Sequence, residues 1–469
     1  MEIKMAESKE DVVNSSGLFA DETERHSHLE SLARFVLNDW RQSTFAVMLF
    51  GYVGYYICRG NLSAAFPLMS REFGYTNAQL GLIASSSEIA YALGKFINGP
   101  AADRIGGRKI FLIGMFGAIL MNLLFSQMRS LSAFVVVWCL CRYFLSMGWG
   151  GLTKTIGAWY EPERNGTVMG VISLNFQFGG VVASLFAGAL VAFGFAWDKL
   201  FIYPALVLFL IFLWSVRSSK DSPQDIIPGI RFGGNAGAKK AIASLKEEED
   251  GSMDVLKIMK SLLTMRLFQF LLLYSFITTL LRSIFFFWTP KFLVDIGMGA
   301  SFAILKSALF PFLGCIGTVL LGWYTDKFAD NGDRASVMWK MLLGLVVTMV
   351  GIAILAKGGI VSASYQNWIV VLLGLAGFFL LGPYAMSSGC LTLDIAGSKG
   401  AGSCTGLIDG VGYVGGALAA WGAGYVSDLL GWAEVFWILS GISLMAVFAA
   451  WLMSHEFQRI ARESQQSHS

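Results

Sequence analysis

The stretch VGYYICRGNLSAAFP, Val53 to Pro67, lies inside a run apolar enough to cross a bilayer, yet carries Arg59 near its middle. An arginine at the bilayer centre costs roughly 2.5–3.5 kcal/mol on translocon-insertion scales, so a charge held there implies a use. The second half of the chain repeats the arrangement. In LLRSIFFFWTP, Arg282 stands eight residues before Pro290, as Arg59 stands eight before Pro67, and both positions are offset by 223. The pattern reads as a duplicated membrane protein with one buried arginine from each half facing a shared site.

Composition agrees. Of 469 residues, 55% are hydrophobic and 14% charged, where soluble domains carry about 25% charged residues. A net charge of +3 gives no reason to expect a nucleic-acid partner. The six cysteines lie in or beside apolar segments, which predicts free thiols. All four histidines are in the tails, which excludes a histidine metal site or proton relay within the membrane. No nucleophile–base constellation or metal-ligand spacing appears, so neither an enzyme nor a cofactor is expected.

Twelve apolar segments are predicted, at about 43–66, 79–100, 110–127, 132–157, 166–193, 199–216, 265–289, 303–325, 336–356, 367–392, 403–425 and 433–453. Only helices and closed barrels satisfy their own backbone in lipid, so the fold class is all-α, two pseudo-symmetric six-helix bundles at 43–216 and 265–453. A polar linker at 217–264 divides them. Tails at 1–42 and 454–469 flank them, the first with no cleavable signal peptide and read as a partly ordered tail, with a short amphipathic helix at LESLARFVLNDW as the alternative. GPAADRIGGRK after segment 2 and GWYTDKFADNGDR after segment 8 share Gly-x-x-x-Asp and a following base, with Asp103 and Asp326 again 223 apart. Segments 5 and 11 share a glycine pattern at an offset of 236, Gly170, Gly179 and Gly180 matching Gly406, Gly415 and Gly416. An even number of helices separates the equivalents, so the repeats run parallel, and transporter sites form between such repeats. Arg104, Arg108 and Lys109 in one short loop, and Lys327 and Arg334 in its counterpart, place those loops, the linker and both termini in the cytoplasm.

At GPAADRIGGRK the chain resembles the major facilitator superfamily, through Gly99, Asp103, Arg104, Gly107 and Arg108, with Gly322 and Asp326 as a weaker copy. The resemblance implies a charged latch between the halves at the cytoplasmic side. More narrowly, GYVGYYICRGNLSAAFPLM, SSEIAYALGKFINGPAADR, SMGWGGLTKT and LLRSIFFFWTPKFL are similar to the organophosphate:phosphate antiporters, the glycerol-3-phosphate, hexose-phosphate and glucose-6-phosphate carriers. That family implies that Arg59 and Arg282 grip a phosphoryl group, that Lys95 joins them, and that Tyr52, Tyr55 and Tyr56 are the tyrosines of segment 1. The chain departs from it at Phe176, where bacterial members carry a histidine, and near Phe310 and Pro311, where several relatives carry an acid.

The chemistry fits the implied ligand. A phosphate monoester carries between one and two negative charges and several acceptor oxygens, and guanidinium donates two parallel hydrogen bonds to such a group. No acid stands at helical spacing from either arginine; the neighbours of Arg59 at i±3 and i±4 are Tyr55, Tyr56, Leu62 and Ser63. Glu88 and Lys95, about 10.5 Å apart along one helix face, are too far apart to bond each other. Glu88 balances an arginine or Lys95, titrates with a coupled proton, or has no role; Asp409 serves packing or the pocket. Trp149, Tyr384 and Asn175 are weaker candidates to meet the organic part of a substrate. The expectation is a monomeric carrier that exchanges an organic phosphate for inorganic phosphate, in a bacterial inner membrane or an organelle. A sugar-phosphate sensor of the same fold and a proton-coupled organic-anion carrier are the alternatives.

Overall fold

A computed structural model describes residues 22–160, 168, 172, 175–226, 262–328, 333–357, 360–388 and 390–466. Within these, the side chains of residues 22–35, 99, 100, 103, 326, 328, 388, 390, 392–406, 461 and 464–466 lie outside the description. The N-terminal half holds α1 (Glu22–Phe73), α2 (Asn77–Ile105), α3 (Gly107–Phe125), α4 (Leu131–Leu145), α5 (Met147–Trp159), α6 (Asn175–Ala192) and α7 (Lys199–Ser218). The C-terminal half holds α8 (Arg266–Asp295), α9 (Ala300–Ser307), α10 (Leu309–Phe328), α11 (Ala335–Leu355), α12 (Ala363–Ser388), α13 (Cys390–Leu429) and α14 (Trp432–Gln466).

Each of the twelve expected segments has its helix, with differences at the edges. Segment 4 is split into α4 and α5 at Ser146, and segment 8 into α9 and α10 at Ala308. Pro311 explains the second break, because it has no N–H to give the Ser307 carbonyl one turn back. The expected N-terminal tail is helical from Glu22 and continuous with segment 1, a single helix of 52 residues. Likewise α14 runs on to Gln466 through most of the expected C-terminal tail. The linker expected at 217–264 lies mostly outside the described residues.

Among the described residues, nine helices, two of them broken, are long and apolar enough to cross a membrane. The other three, α1, α2 and α13, are those carrying Arg59, Glu88 with Lys95, and Asp409.

The halves meet as a two-fold repeat requires. Segment 2 packs on segment 11 (α2 on α13), segment 5 on segment 8 (α6 on α9 and α10), and segment 1 faces segment 7 (α1 on α8). The α2–α13 contact is close because glycines make it so. A Cβ on Gly81 would stand 2.8 Å from the Ala420 carbonyl oxygen, and one on Gly424 2.4 Å from that of Asn77, so only a residue without a side chain lets the backbones approach. At this end, away from the basic loop, the Asp428 carboxylate accepts bonds from the Asn77 and Ala78 backbone N–H groups at 3.0 and 2.7 Å, and Asn77 Nδ2 donates to Ser427 Oγ at 3.0 Å. A helix N-terminus leaves its first N–H groups without partners. In α2 two of them are met by an acid from the other half, beside the Thr76–Gln79 capping box within its own strand of chain.

Candidate functional site

Arg59 projects from α1 with 5% exposure, and Arg282 from α8 with 8%. Neither has an acid partner among the described residues. Each instead lies against aromatic rings, including one from the opposite half. The Arg59 guanidinium is 5.4 Å from the Tyr56 ring, 4.9 Å from Tyr91 and 5.2 Å from Phe286 of α8. Arg282 is 4.8 Å from Tyr384 and 6.0 Å from Phe176 of α6. Ring faces carry partial negative charge and hold a cation without neutralising it. Arg59 Nε is buried with no hydrogen-bond partner, and Arg282 lies within electrostatic reach of Arg59.

The other buried charges are paired. Glu88 on α2 accepts from Arg142 Nη2 on α4, with both side chains at most 2% exposed. Lys95 donates to Asp409 across the two halves at 2.6 Å, each side chain 24% exposed. As spacing suggested, Glu88 and Lys95 do not meet; each has found a long-range partner. Tyr91, between them on α2, gathers the cluster: its ring lies 4.4 Å from Arg142, 4.9 Å from Arg59, 5.6 Å from Lys95 and 5.1 Å from the Tyr413 ring. Among the described residues of the site, four cations (Arg59, Arg142, Arg282, Lys95) face two acids (Glu88, Asp409). The excess is two positive charges, carried by the arginines that came one from each half.

Sequence reasoning missed Tyr91 and Phe286 and gave Arg142 no role. One signal was available: Tyr91 stands at i+3 from Glu88 and i−4 from Lys95, on the same face of α2. Other expected residues are placed elsewhere. Tyr55 does not face the arginines; its hydroxyl donates to the Phe111 carbonyl at 2.6 Å and its ring fills the space over Gly114 and Gly148, inside the N-terminal bundle. Asn175 likewise is turned to the α1 backbone, donating to the Leu49 carbonyl at 2.8 Å. Both corrections share a cause, since a buried polar group takes the nearest backbone partner. The Tyr52 and Trp149 rings pack tilted with centroids 5.5 Å apart, and Tyr52 meets Tyr56 edge-on at the same distance, one ring removed from Arg59. Tyr384, expected to meet the organic part of a substrate, has its ring 4.8 Å from the Arg282 guanidinium.

Of the expected gating motif, the side chain of Arg108 is tied to the end of α7. Its Nε donates to Ser219 Oγ at 2.9 Å, its Nη2 to the Val216 carbonyl at 2.7 Å, and its backbone N–H to Asp221 at 2.6 Å. These bonds stay within one half. Gly106 precedes it with φ of +106°, the turn from α2 into α3. Arg104 lies in the last turn of α2. The side chains at Gly99, Asp103 and Asp326 lie outside the described residues.

The sequence profile of the Major Facilitator Superfamily matches residues 48–334, from the first arginine helix past the second. The chain belongs to the Major Facilitator Superfamily. Its membership makes it an integral membrane protein of a family of transporters. Among similar proteins, a "Probable hexose phosphate transport protein" of Chlamydia pneumoniae is 27% identical over 428 residues, covering 88% of this chain and 91% of the relative. A "Glycerol-3-phosphate transporter" of Bacillus subtilis is 26% identical, covering 87% and 90%. The "Membrane sensor protein UhpC" of Escherichia coli is 24% identical, covering 87% and 91%. Among solved structures, a bacterial homologue of the lysosomal transporter Spinster, inward-facing and unoccupied, superposes with a TM-score of 0.72 at 16% identity, over 90% of this chain and 98% of that one. A D-xylose–proton symporter does so at 0.65 and 15% identity, over 90% and 97%. These superpositions carry the fold, and the sequence relatives carry the organophosphate resemblance.

Proposed function

We propose that this superfamily member exchanges an organic phosphate ester for inorganic phosphate by alternating access. The observation that carries the reading is the pair of buried arginines, one from each half, that alone among the site's cations lack an acid partner among the described residues. A phosphate dianion supplies the two missing charges. Arg59 and Arg282 each offer a planar fork of donors to it, and the rings around them hold both guanidiniums in place without competing for their hydrogens. Lys95 reaches the same anion by giving up Asp409. That the chain's relatives carry the names of phosphate-ester transporters supports the same ligand class.

Exchange follows from the charge count. The empty carrier must bury two mutually repelling cations to change the side it faces, and burying an uncompensated charge is expensive. With phosphate or an ester bound, the excess is cancelled and the halves can rock. The loaded carrier therefore turns and the empty one does not. The basic turn around Arg108 supports placing both termini in the cytoplasm, and the bacterial relatives support an inner-membrane setting. The test is uptake of labelled phosphate into proteoliposomes containing the purified protein. Uptake that requires phosphate or an ester inside is the expected result; equal uptake into empty vesicles would overturn exchange. The similarity to a membrane sensor favours one other reading, a protein that binds the ester and moves nothing. Tight ester binding by folded protein without any uptake would establish it.

A further inference from the structure

A groove on the side of the molecule runs between α1, α6 and α10. The first two helices belong to one half and the third to the other, so the groove lies on the seam where the halves meet. We propose that it holds an acyl chain of an anionic phospholipid, whose headgroup sits at Arg217 near the end of α7. The site does not depend on which substrate is carried.

The lining is apolar. Leu49, Phe50, Phe178, Ile316, Val319 and Leu320 form most of it, and all but Leu49 are 40–54% exposed. Asn175, the amide side chain among the lining residues, spends its N–H on the Leu49 carbonyl at 2.8 Å. A water needs two to four polar partners, more than these side chains offer. In an integral membrane protein the phase that meets such a wall is hydrocarbon, and lipid tails are as apolar as leucine. The Cys315–Leu320 stretch of α10 gives the groove a length of about 7.5 Å, enough for part of one chain. A flat helix face meets passing lipid on one side only. Here a chain would touch three helices, from both halves at once.

The neighbouring helix supplies the charge. Phe50, in the lining, meets Trp214 of α7 with ring centroids 6.3 Å apart. Arg217 follows three residues later on the same face of α7, and it is exposed. A contact between helix ends sets its height. Ser43 Oγ donates to the Ser218 carbonyl at 2.7 Å, and Ser43 stands seven residues before Phe50, about 10.5 Å along α1. Arg217 therefore lies about that far beyond the groove, toward the end of the molecule that carries the basic turn. Arg108, which donates to the Val216 carbonyl, adds a second cation at this end. A tail in the groove brings the phosphate of its own lipid to these guanidiniums. Trp214, between chain and headgroup, takes the depth that tryptophan favours in a bilayer.

The experiment reconstitutes the full chain in mixed vesicles of phosphatidylcholine and phosphatidylglycerol. One lipid or the other, at the same trace level, carries a photoreactive diazirine in its acyl chain, and adducts are mapped by peptide mass after illumination. Adducts on Leu49–Val53 are expected to exceed those around Val347, on the exposed face of α11, by about threefold or more, with phosphatidylglycerol labelling about threefold more than phosphatidylcholine. Val319→Trp, which fills the groove from α10, is expected to remove most adducts on Leu49–Val53, whereas Val347→Trp leaves them unchanged. Arg217→Gln is expected to abolish the preference for phosphatidylglycerol and Arg217→Lys to keep it, all variants being compared as folded, monodisperse protein. Adducts spread evenly over the groove and the α11 face, or unmoved by Val319→Trp, would overturn the site. Equal labelling of the groove by the two lipids would overturn the anionic headgroup.

Discussion

Arg59 and Arg282 are held by rings and, among the described residues, by no carboxylate, so their removal should show in transport before it shows in folding. Each charge-assisted hydrogen bond to phosphate is worth about 1.5–3 kcal/mol. Arg59→Lys and Arg282→Lys keep the charge and lose the planar fork. Each is expected to reduce phosphate exchange by roughly ten- to a hundredfold, as measured by initial rates in proteoliposomes normalised to folded protein. Glu88 has the opposite profile. Glu88→Gln would leave Arg142 buried and uncompensated, a loss of about 3–5 kcal/mol for a broken buried pair. A marked fall in the melting temperature of detergent-solubilised protein is expected, with part of it regained in Glu88→Gln/Arg142→Gln. The arginines were legible in the sequence because a charge in an apolar run stands out with no knowledge of the fold. The Glu88–Arg142 and Lys95–Asp409 pairings were not, because each joins helices far apart in the chain. Tyr55 and Asn175 misled for the same reason: residue type and segment say that a polar group is buried, and only the packed bundle says which carbonyl it finds.

The twelve helices themselves could be read from apolar length, and their two-fold relation from the repeated Arg–Pro and Gly–Asp spacings. Their breaks and extensions could not. Ser146 interrupts segment 4 without a proline to announce it, and α1 starts some twenty residues before its apolar run, where a polar sequence gives no sign of joining a membrane helix. The α2–α13 contact depends on bare backbone at Gly424, where any side chain would meet the Asn77 carbonyl oxygen. Gly424→Val is therefore expected to hold the two helices apart at that end. Loss of exchange in a correctly folded protein, together with increased labelling of a cysteine introduced near Asn77, is the expected result. Unchanged exchange would mean that this contact does not have to close during the cycle.

At the scale of the whole molecule, the described residues between the two halves carry an excess of two positive charges, one from each half. Net efflux of labelled phosphate into anion-free buffer is accordingly expected to be at least tenfold slower than exchange, and raising phosphate outside should restore the rate. The halves are also joined where no charge crosses to a ligand. The Asp428 carboxylate completes the first turn of α2 from the opposite bundle, and a cap of this kind is worth about 0.5–2 kcal/mol. Asp428→Ala removes it, so the population open at that end is expected to rise by about two- to thirtyfold.

The same cap gives the protein a built-in isotope clock. The amides of Asn77 and Ala78 trade hydrogen for deuterium while Asp428 has let go of them, as it must when that end parts. Their protection therefore records the fraction of time the molecule spends turned one way, residue by residue, with no label attached to it. A ligand that lets the halves rock should speed deuterium uptake at these two amides while leaving the amides in the middle of α2 as slow as before.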